Sequence, residues 1–231
     1  MTRYPKKNKV VSLIDTIPRE LTTDILSRVS ASSVADISSI KLSCKGLREI
    51  AEDEDVYRHS CLDKFPIVRW TPLCDKQQKF LNKCIQSANP EISYREALLD
   101  FFYKTEIGSA CENLDKAVKS GHVGALYVSC IVFLFSGDDR LKREGVKLIS
   151  KMKSIGYLKR KLRLCRGKLK EELRQMWVKN PLLREPPIIC NAHRRCYRRA
   201  NKWADEEEEE DDCEACAADR ELELISIAFK F

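Results

Sequence analysis

Along most of the chain the apolar positions recur every three or four residues, the period of an α-helix with one buried face. Ile17, Leu21, Ile25 and Val29 fall four apart, and Leu26 widens that face. Pro18 marks the start of this first helix, because a proline at an early helical position costs no hydrogen bond. Ser30, Ser32 and Ser33 break the pattern. A second helix carries Val34, Ile37 and Ile40, with Cys44 beyond it. A third carries Leu47, Ile50 and Ala51 and ends in Glu52–Asp55. Three helices this short enclose little core, so their apolar surface needs a partner, either the rest of the chain or another protein. No stretch sustains the period-two alternation of a half-buried strand. In the body of the chain Pro18, Pro66, Pro72 and Pro90 each fall at a predicted helix end or loop.

Further on, the helical pattern repeats itself. A shift of 33 residues pairs Leu81 with Leu114, Lys83 with Lys116, Ser87 with Ser120, Tyr94 with Tyr127 and Phe102 with Phe135. A third, partial unit has Leu148, Met152, Ser154 and Gly156 in similar places. A period near this length is the mark of helix–turn–helix solenoids. Ala117, Gly121 and Ala125 are small enough to let paired helices approach, and Gly121 offers a turn between them. The unit from Leu114 to Tyr127 resembles a Sel-type relative of the tetratricopeptide repeat. That resemblance implies a protein-binding surface without catalysis. Beyond it, Leu158, Leu162, Cys165, Leu169, Leu173 and Met176 form one more helical face. Lys159, Arg160, Lys161, Arg163, Arg166, Lys168 and Lys170 crowd the other sides.

Several residues of the N-terminal three-helix segment agree in order and spacing with one family. Ile17-Pro18, Leu21, Ile25-Leu26, Val29, Leu42, Cys44-Lys45, Arg48 and Val56-Tyr57 together resemble an F-box. Departures are Ser43 where an aliphatic is common, Leu47 where Trp is common, and Val56-Tyr57 for a frequent Phe-Trp. All change size at packing positions. The resemblance implies a substrate-receptor subunit of an SCF-type ubiquitin ligase. Such a subunit docks on a Skp-type adaptor joined to a cullin scaffold, and recruits a protein target through the rest of its chain. Adaptor contact would then fall to Ile17, Pro18, Leu21, Ile25 and Leu26, as apolar anchors of a helix face.

Composition narrows the alternatives. The 231 residues are 43% hydrophobic and 33% charged, which fits a folded chain of one or two domains. The longest apolar run, Ala125–Phe135, is too short to span a bilayer. The first ten residues are basic and polar with no apolar stretch behind them, so an intracellular protein is expected, cytoplasmic or nuclear. Net charge is +7, although Asp205–Asp212 is an unbroken run of eight acids. The excess of bases elsewhere suits an acidic partner or a nucleic acid. A basic nucleic-acid-associated protein using Lys159–Lys170 and the basic stretch Arg194–Lys202 is therefore the alternative reading. Three histidines leave little scope for acid–base chemistry. There is no Gly-rich phosphate loop and no nucleophile elbow, so a non-catalytic protein is expected.

Of eleven cysteines, seven lie singly in apolar patterns and read as buried thiols. The other four cluster with a histidine. Cys190, His193 and Cys196 form one knuckle, and Cys213-Glu-Ala-Cys216 forms a second after a gap of sixteen residues. Two knuckles at this separation can close a tetrahedron around one structural zinc ion, using four of these five ligands. F-box, helical repeat and Cys-rich tail occur together in a group of plant F-box proteins, although this tail has too few ligands for a two-zinc MYND finger. The expected fold is mainly α. A disordered basic tail (1–11) precedes an F-box (12–60), a solenoid-like helical-repeat region (75–180), and a Cys-rich tail with an acidic insert (186–231). Residues 221–231 are read as a short strand or a final helix.

Overall fold

A computed structural model of the chain describes residues 16–68, 70–191 and 213–226. Among them there are helices and turns and no strand. The chain divides into two compact units, one built from residues up to 64 together with 73–89, the other from 65–72 and from 90 onward.

The first unit holds α1 (Arg19–Ser32), α2 (Val34–Ser43), α3 (Lys45–Ile50), α4 (Glu54–Arg58) and α5 (Asp75–Gln86). Local chemistry sets the boundaries. Pro18 is the N-cap of α1, and its carbonyl accepts the Thr22 amide at 3.1 Å. Ser33 stops α1 and caps α2 by accepting the Asp36 amide. Asp53 does the same for α4, so the acidic stretch that was expected to end the third helix instead starts a fourth. The core of this unit is small: Leu26, Ile37, Ala51 and Val56, with Val29, Ile40 and Ile50 packed against it. Polar links supplement it. Asn89 donates to the carbonyls of Tyr57 (2.8 Å) and Ser60 (2.9 Å), joining the end of α5 to the end of α4. Residues 73–89, read from sequence as the opening of the repeats, belong to this unit.

The second unit holds α6 (Pro90–Leu98), α7 (Ile107–Lys119), α8 (Val123–Phe135), α9 (Asp139–Ser154), α10 (Gly156–Arg174) and α11 (Glu214–Ser226). Successive helices from α6 to α10 pack on one another, α8 also meets α10, and α11 lies against α9. The apolar run Ala125–Phe135 becomes the C-terminal part of α8, which is buried on nearly all sides. A π-helical segment, Leu99–Lys104, extends α6 and buries Phe101 and Phe102. Its wider turn disturbs the regular bonding of the backbone, and the carbonyls of Phe101 and Phe102 find partners elsewhere. Asn180 takes them up, its side chain donating to Phe101 (2.8 Å) and its amide to Phe102 (3.2 Å). The segment after α10 is thereby strapped to α6. No helix of the described residues is long and apolar enough to cross a membrane.

The 33-residue period appears in the backbone itself. The Asn89 amide bonds the Cys84 carbonyl at 3.0 Å, and 33 residues on the His122 amide bonds the Ala117 carbonyl at 3.0 Å. Ala88 and Gly121, again 33 apart, both adopt positive φ, 51° and 82°. Each helix ends on the same left-handed C-terminal turn. Of the small residues expected to permit close packing, Ala117 and Ala125 are fully buried. Gly145 is a further such site, since a Cβ there would come within 3.1 Å of the Cys130 carbonyl.

Candidate functional site

The first helix is built inside out. Its inward side carries Thr22, Thr23, Leu26, Ser27 and Ser30, all buried. Its outward side presents Leu21, 57% exposed, and Ile25, 49% exposed, one turn apart. Pro18 is exposed as well, and Ile17 is half-buried. Leu26 differs from the other expected contact residues. It is 3% exposed and belongs to the internal core, so in this conformation it supports the helix and is closed to a partner. Leu42 on α2, absent from the expected contacts, is 79% exposed. Only its quoted place in the F-box pattern hinted at a role.

Polar bonds hold the inward side. Ser60 gives its proton to the Val56 carbonyl at 2.8 Å, so Ser30 donates to Ser60 at 2.5 Å, and the Ser30 carbonyl accepts the Cys61 amide at 2.9 Å. Elsewhere in this unit the Glu52 carboxylate accepts from Lys41 (2.9 Å), Tyr57 (2.7 Å) and Lys83. Burial pushes that carboxyl upward, but these bonds outweigh it and hold it at about 2. The result is a hydrogen-bonded helical support beneath a leucine–isoleucine pair left facing solvent.

In the second unit three of the expected metal ligands come together. Cys213 stands just before α11 and Cys216 in its first turn. Cys190 arrives from the segment beyond Pro186-Pro187. The sulfur separations are 3.7 Å for Cys190–Cys213, 3.3 Å for Cys213–Cys216 and 3.5 Å for Cys190–Cys216. A tetrahedron with Zn–S arms of ~2.3 Å has edges of ~3.8 Å, so the three sulfur separations are close to those of one face of such a tetrahedron. Asp219 fixes the approach of Cys190, accepting the amides of Ile189 (2.7 Å) and Cys190 (2.8 Å). Burial, and then the neighbouring Cys213 and Cys190, push the Cys216 thiol upward. His193 and Cys196 lie outside the described residues, as do residues 1–11 and the acidic run 205–212. Residues 221–226 are helical.

Several other titratable residues serve structure. His122 is the N-cap of α8: its Nδ1 accepts the Ala125 amide at 2.9 Å, which leaves Nε2 to donate to Glu91 at 2.9 Å. Arg166, read from sequence as one more outward base, points inward and makes a bidentate pair with fully buried Glu221, both bonds 2.7 Å. The repeat places two tyrosines in equivalent positions, and each finds a buried glutamate. Tyr94 donates to Glu172 at 2.6 Å and Tyr127 to Glu221 at 2.6 Å. A buried phenol needs an acceptor, so the recurrence of Tyr at one repeat position was a signal for these pairs.

Comparison with known proteins agrees with this architecture. A family model of plant tetratricopeptide repeats matches residues 62–174. A candidate F-box protein of Arabidopsis thaliana is 25% identical over 144 residues, covering 62% of this chain and 47% of its own length. A second F-box protein of that plant is 27% identical over 161 residues, 67% of this chain and 42% of its own. A third is 25% identical over 154 residues, 66% of this chain and 93% of its own. The chain thus spans under half the length of the first two and nearly all of the third. No solved structure matches it. With F-box proteins as its relatives and plant-type repeats through its middle, the chain is similar to F-box proteins and carries a tetratricopeptide-like helical-repeat region.

Proposed function

We propose that this protein is a non-catalytic substrate receptor of a cullin-type ubiquitin ligase. Its first unit docks on a Skp-type adaptor and its helical repeats recruit a protein target. The inside-out first helix carries the reading: hydroxyl side chains are buried while Leu21 and Ile25 stand in water. Exposed aliphatics held on a rigid support are what an adaptor pocket would take. Ile17, Pro18, Leu21 and Ile25 make the contact, and Leu26 supports them from within. Four of the singly placed thiols argue against a nucleophile. Burial pushes Cys84 and Cys130 up to about 12 and raises Cys111 and Cys165, the opposite of what a reactive thiolate needs. The test is capture of a purified Skp-type adaptor by the wild type and by Leu21→Asp/Ile25→Asp. The expected result is capture by the wild type, and loss of about 100-fold or more in affinity for the variant with its helical circular dichroism unchanged. Equal binding by the two would remove the assignment.

The tail binds one structural zinc ion through Cys190, Cys213 and Cys216. Soft sulfur donors select zinc over magnesium or calcium, and the sulfur spacing suits a tetrahedral ion. Metal would clip the segment after Pro187 to α11. Titration of the full chain with cobalt as a spectroscopic stand-in should saturate at one equivalent with thiolate absorption, and Cys216→Ser should lose it. A featureless titration would exclude the site.

A further inference from the structure

The second unit carries exposed bases on α9 and α10, and the receptor reading gives them no partner of stated chemistry. Residues 140–163, from α9 into α10, hold ten lysines and arginines and a single acid, Glu144. Arg140, Arg143, Lys147 and Lys151 recur at helical spacing along one exposed side of α9. Lys159 and Arg160 are exposed on α10. None of these six is in an ion pair among the described residues, whereas Lys104, Arg95 and Arg166 each have a carboxylate. Cations left unneutralised at this density raise the local potential and favour a partner of opposite sign.

Charge is only half of the face. On α10, Tyr157, Arg160, Lys161 and Leu164 follow one another at positions i, i+3, i+4 and i+7, and so share a side of the helix. Leu164 is 73% exposed and Tyr157 is 54% exposed, with Lys161 lying 5.1 Å over the Tyr157 ring. The opposite side of α10 supplies the core through Leu162, Leu169 and Leu173. The helix therefore has a second apolar side, with two large side chains in water and cations between them.

We propose that this face docks a segment of a partner protein that is both acidic and apolar. A phosphate backbone would answer the cations and leave Leu164 and Tyr157 in water. A peptide alternating carboxylates with large aliphatic or aromatic side chains answers both, and the four α10 positions span only ~10 Å, within reach of a few residues of such a peptide. The inference is independent of adaptor docking, which uses the other unit.

The test uses the full chain and fluorescence anisotropy. The probe is a labelled peptide of about twelve residues repeating Asp-Asp-Leu-Phe, long enough to cover the α10 side. Its controls are the same peptide with Leu and Phe replaced by Ser, and a single-stranded oligonucleotide of equal charge. The wild type should bind the probe saturably and the Ser control about tenfold more weakly. Leu164→Ser should weaken the probe about tenfold and Arg160→Glu/Lys161→Glu should abolish binding. Leu164 and Arg160 are exposed and Lys161 is half-buried outside the core, so an unmoved thermal transition separates lost binding from lost folding. No saturable binding, equal binding of the Ser control, or tighter binding of the oligonucleotide overturns the proposal. Binding that emerges only after the acids of 205–212 are changed to Asn and Gln assigns the face to the chain's own acidic run, and overturns it too.

Discussion

The buried charges of the second unit can be separated residue by residue. Arg166 and Glu221 lie 8% and 0% exposed at the side chain and bond twice. Removing one partner leaves the other ionised in the core, so Glu221→Leu should destabilise by about 3–5 kcal/mol. Arg166→Met/Glu221→Leu/Tyr127→Phe removes all three polar groups together and should return close to wild type, since the desolvation cost disappears with the charges. Urea midpoints at pH 7 measure both, and a triple variant as weak as the single would show that the polar cluster itself contributes net stability. Glu172 makes a different prediction. Burial raises its carboxyl to about 7 against the restraint of Tyr94 and Lys168, while Glu91 nearby is held at about 2, burial being overcome by His122, Lys168 and Arg95. A carboxyl raised in the folded state binds its proton more tightly folded than unfolded. Stability from Glu172 is therefore present below pH 4.5 and lost as pH rises through 7, by ~3 kcal/mol. Glu91 acts in the reverse sense, and its contribution is lost as pH falls from 4.5 toward 2. Glu172→Gln keeps an acceptor for Tyr94 and should flatten the melting temperature between pH 4.5 and 7 while leaving the acid limb. An unchanged slope would show that Glu172 ionises normally.

At the scale of elements, the repeat was legible because its register is written in side chains that must be buried together. Leu81 and Leu114, Tyr94 and Tyr127, and Phe102 and Phe135 are all buried. The same register makes a test of the turns. Gly121 sits at φ 82° without strain, while its equivalent Ala88 holds φ 51° with a Cβ that crowds the backbone. Ala88→Gly should stabilise by about 0.5–1 kcal/mol and Gly121→Ala should destabilise by about 1 kcal/mol, both read from thermal melts. A loss at Ala88→Gly would mean that unfolded-state entropy outweighs relief of strain there. Periodicity gave the apolar spacing of α1 but not its direction. Leu21 and Ile25 repeat every fourth residue as core residues do, and only the position of α1 on α4 turns them outward. The inward bond of Arg166 was illegible for the same reason: its partner Glu221 is 55 residues away on α11. The pairing of Cys213 with Cys216 was legible from their spacing, whereas the approach of Cys190 to them depends on the fold of the segment that Asp219 holds.

For the whole molecule, the decisive question is whether two docking events combine. The leucine–isoleucine pair of α1 and the basic side of α10 belong to different compact units and share no residue. Substitutions without common partners usually add in free energy. Leu21→Asp/Ile25→Asp should therefore abolish adaptor capture and leave the affinity for the acidic–apolar probe within about twofold. Arg160→Glu/Lys161→Glu should do the converse. The same peptide titration repeated with saturating adaptor then tests whether the two proposed sites are coupled. An unchanged dissociation constant means that the two sites bind independently. A shift of about tenfold either way would be a coupling of ~1.4 kcal/mol between the sites, and linkage requires that the bound peptide change adaptor affinity by the same factor. Only in that second case would binding of a partner at α10 also control assembly of the proposed ligase.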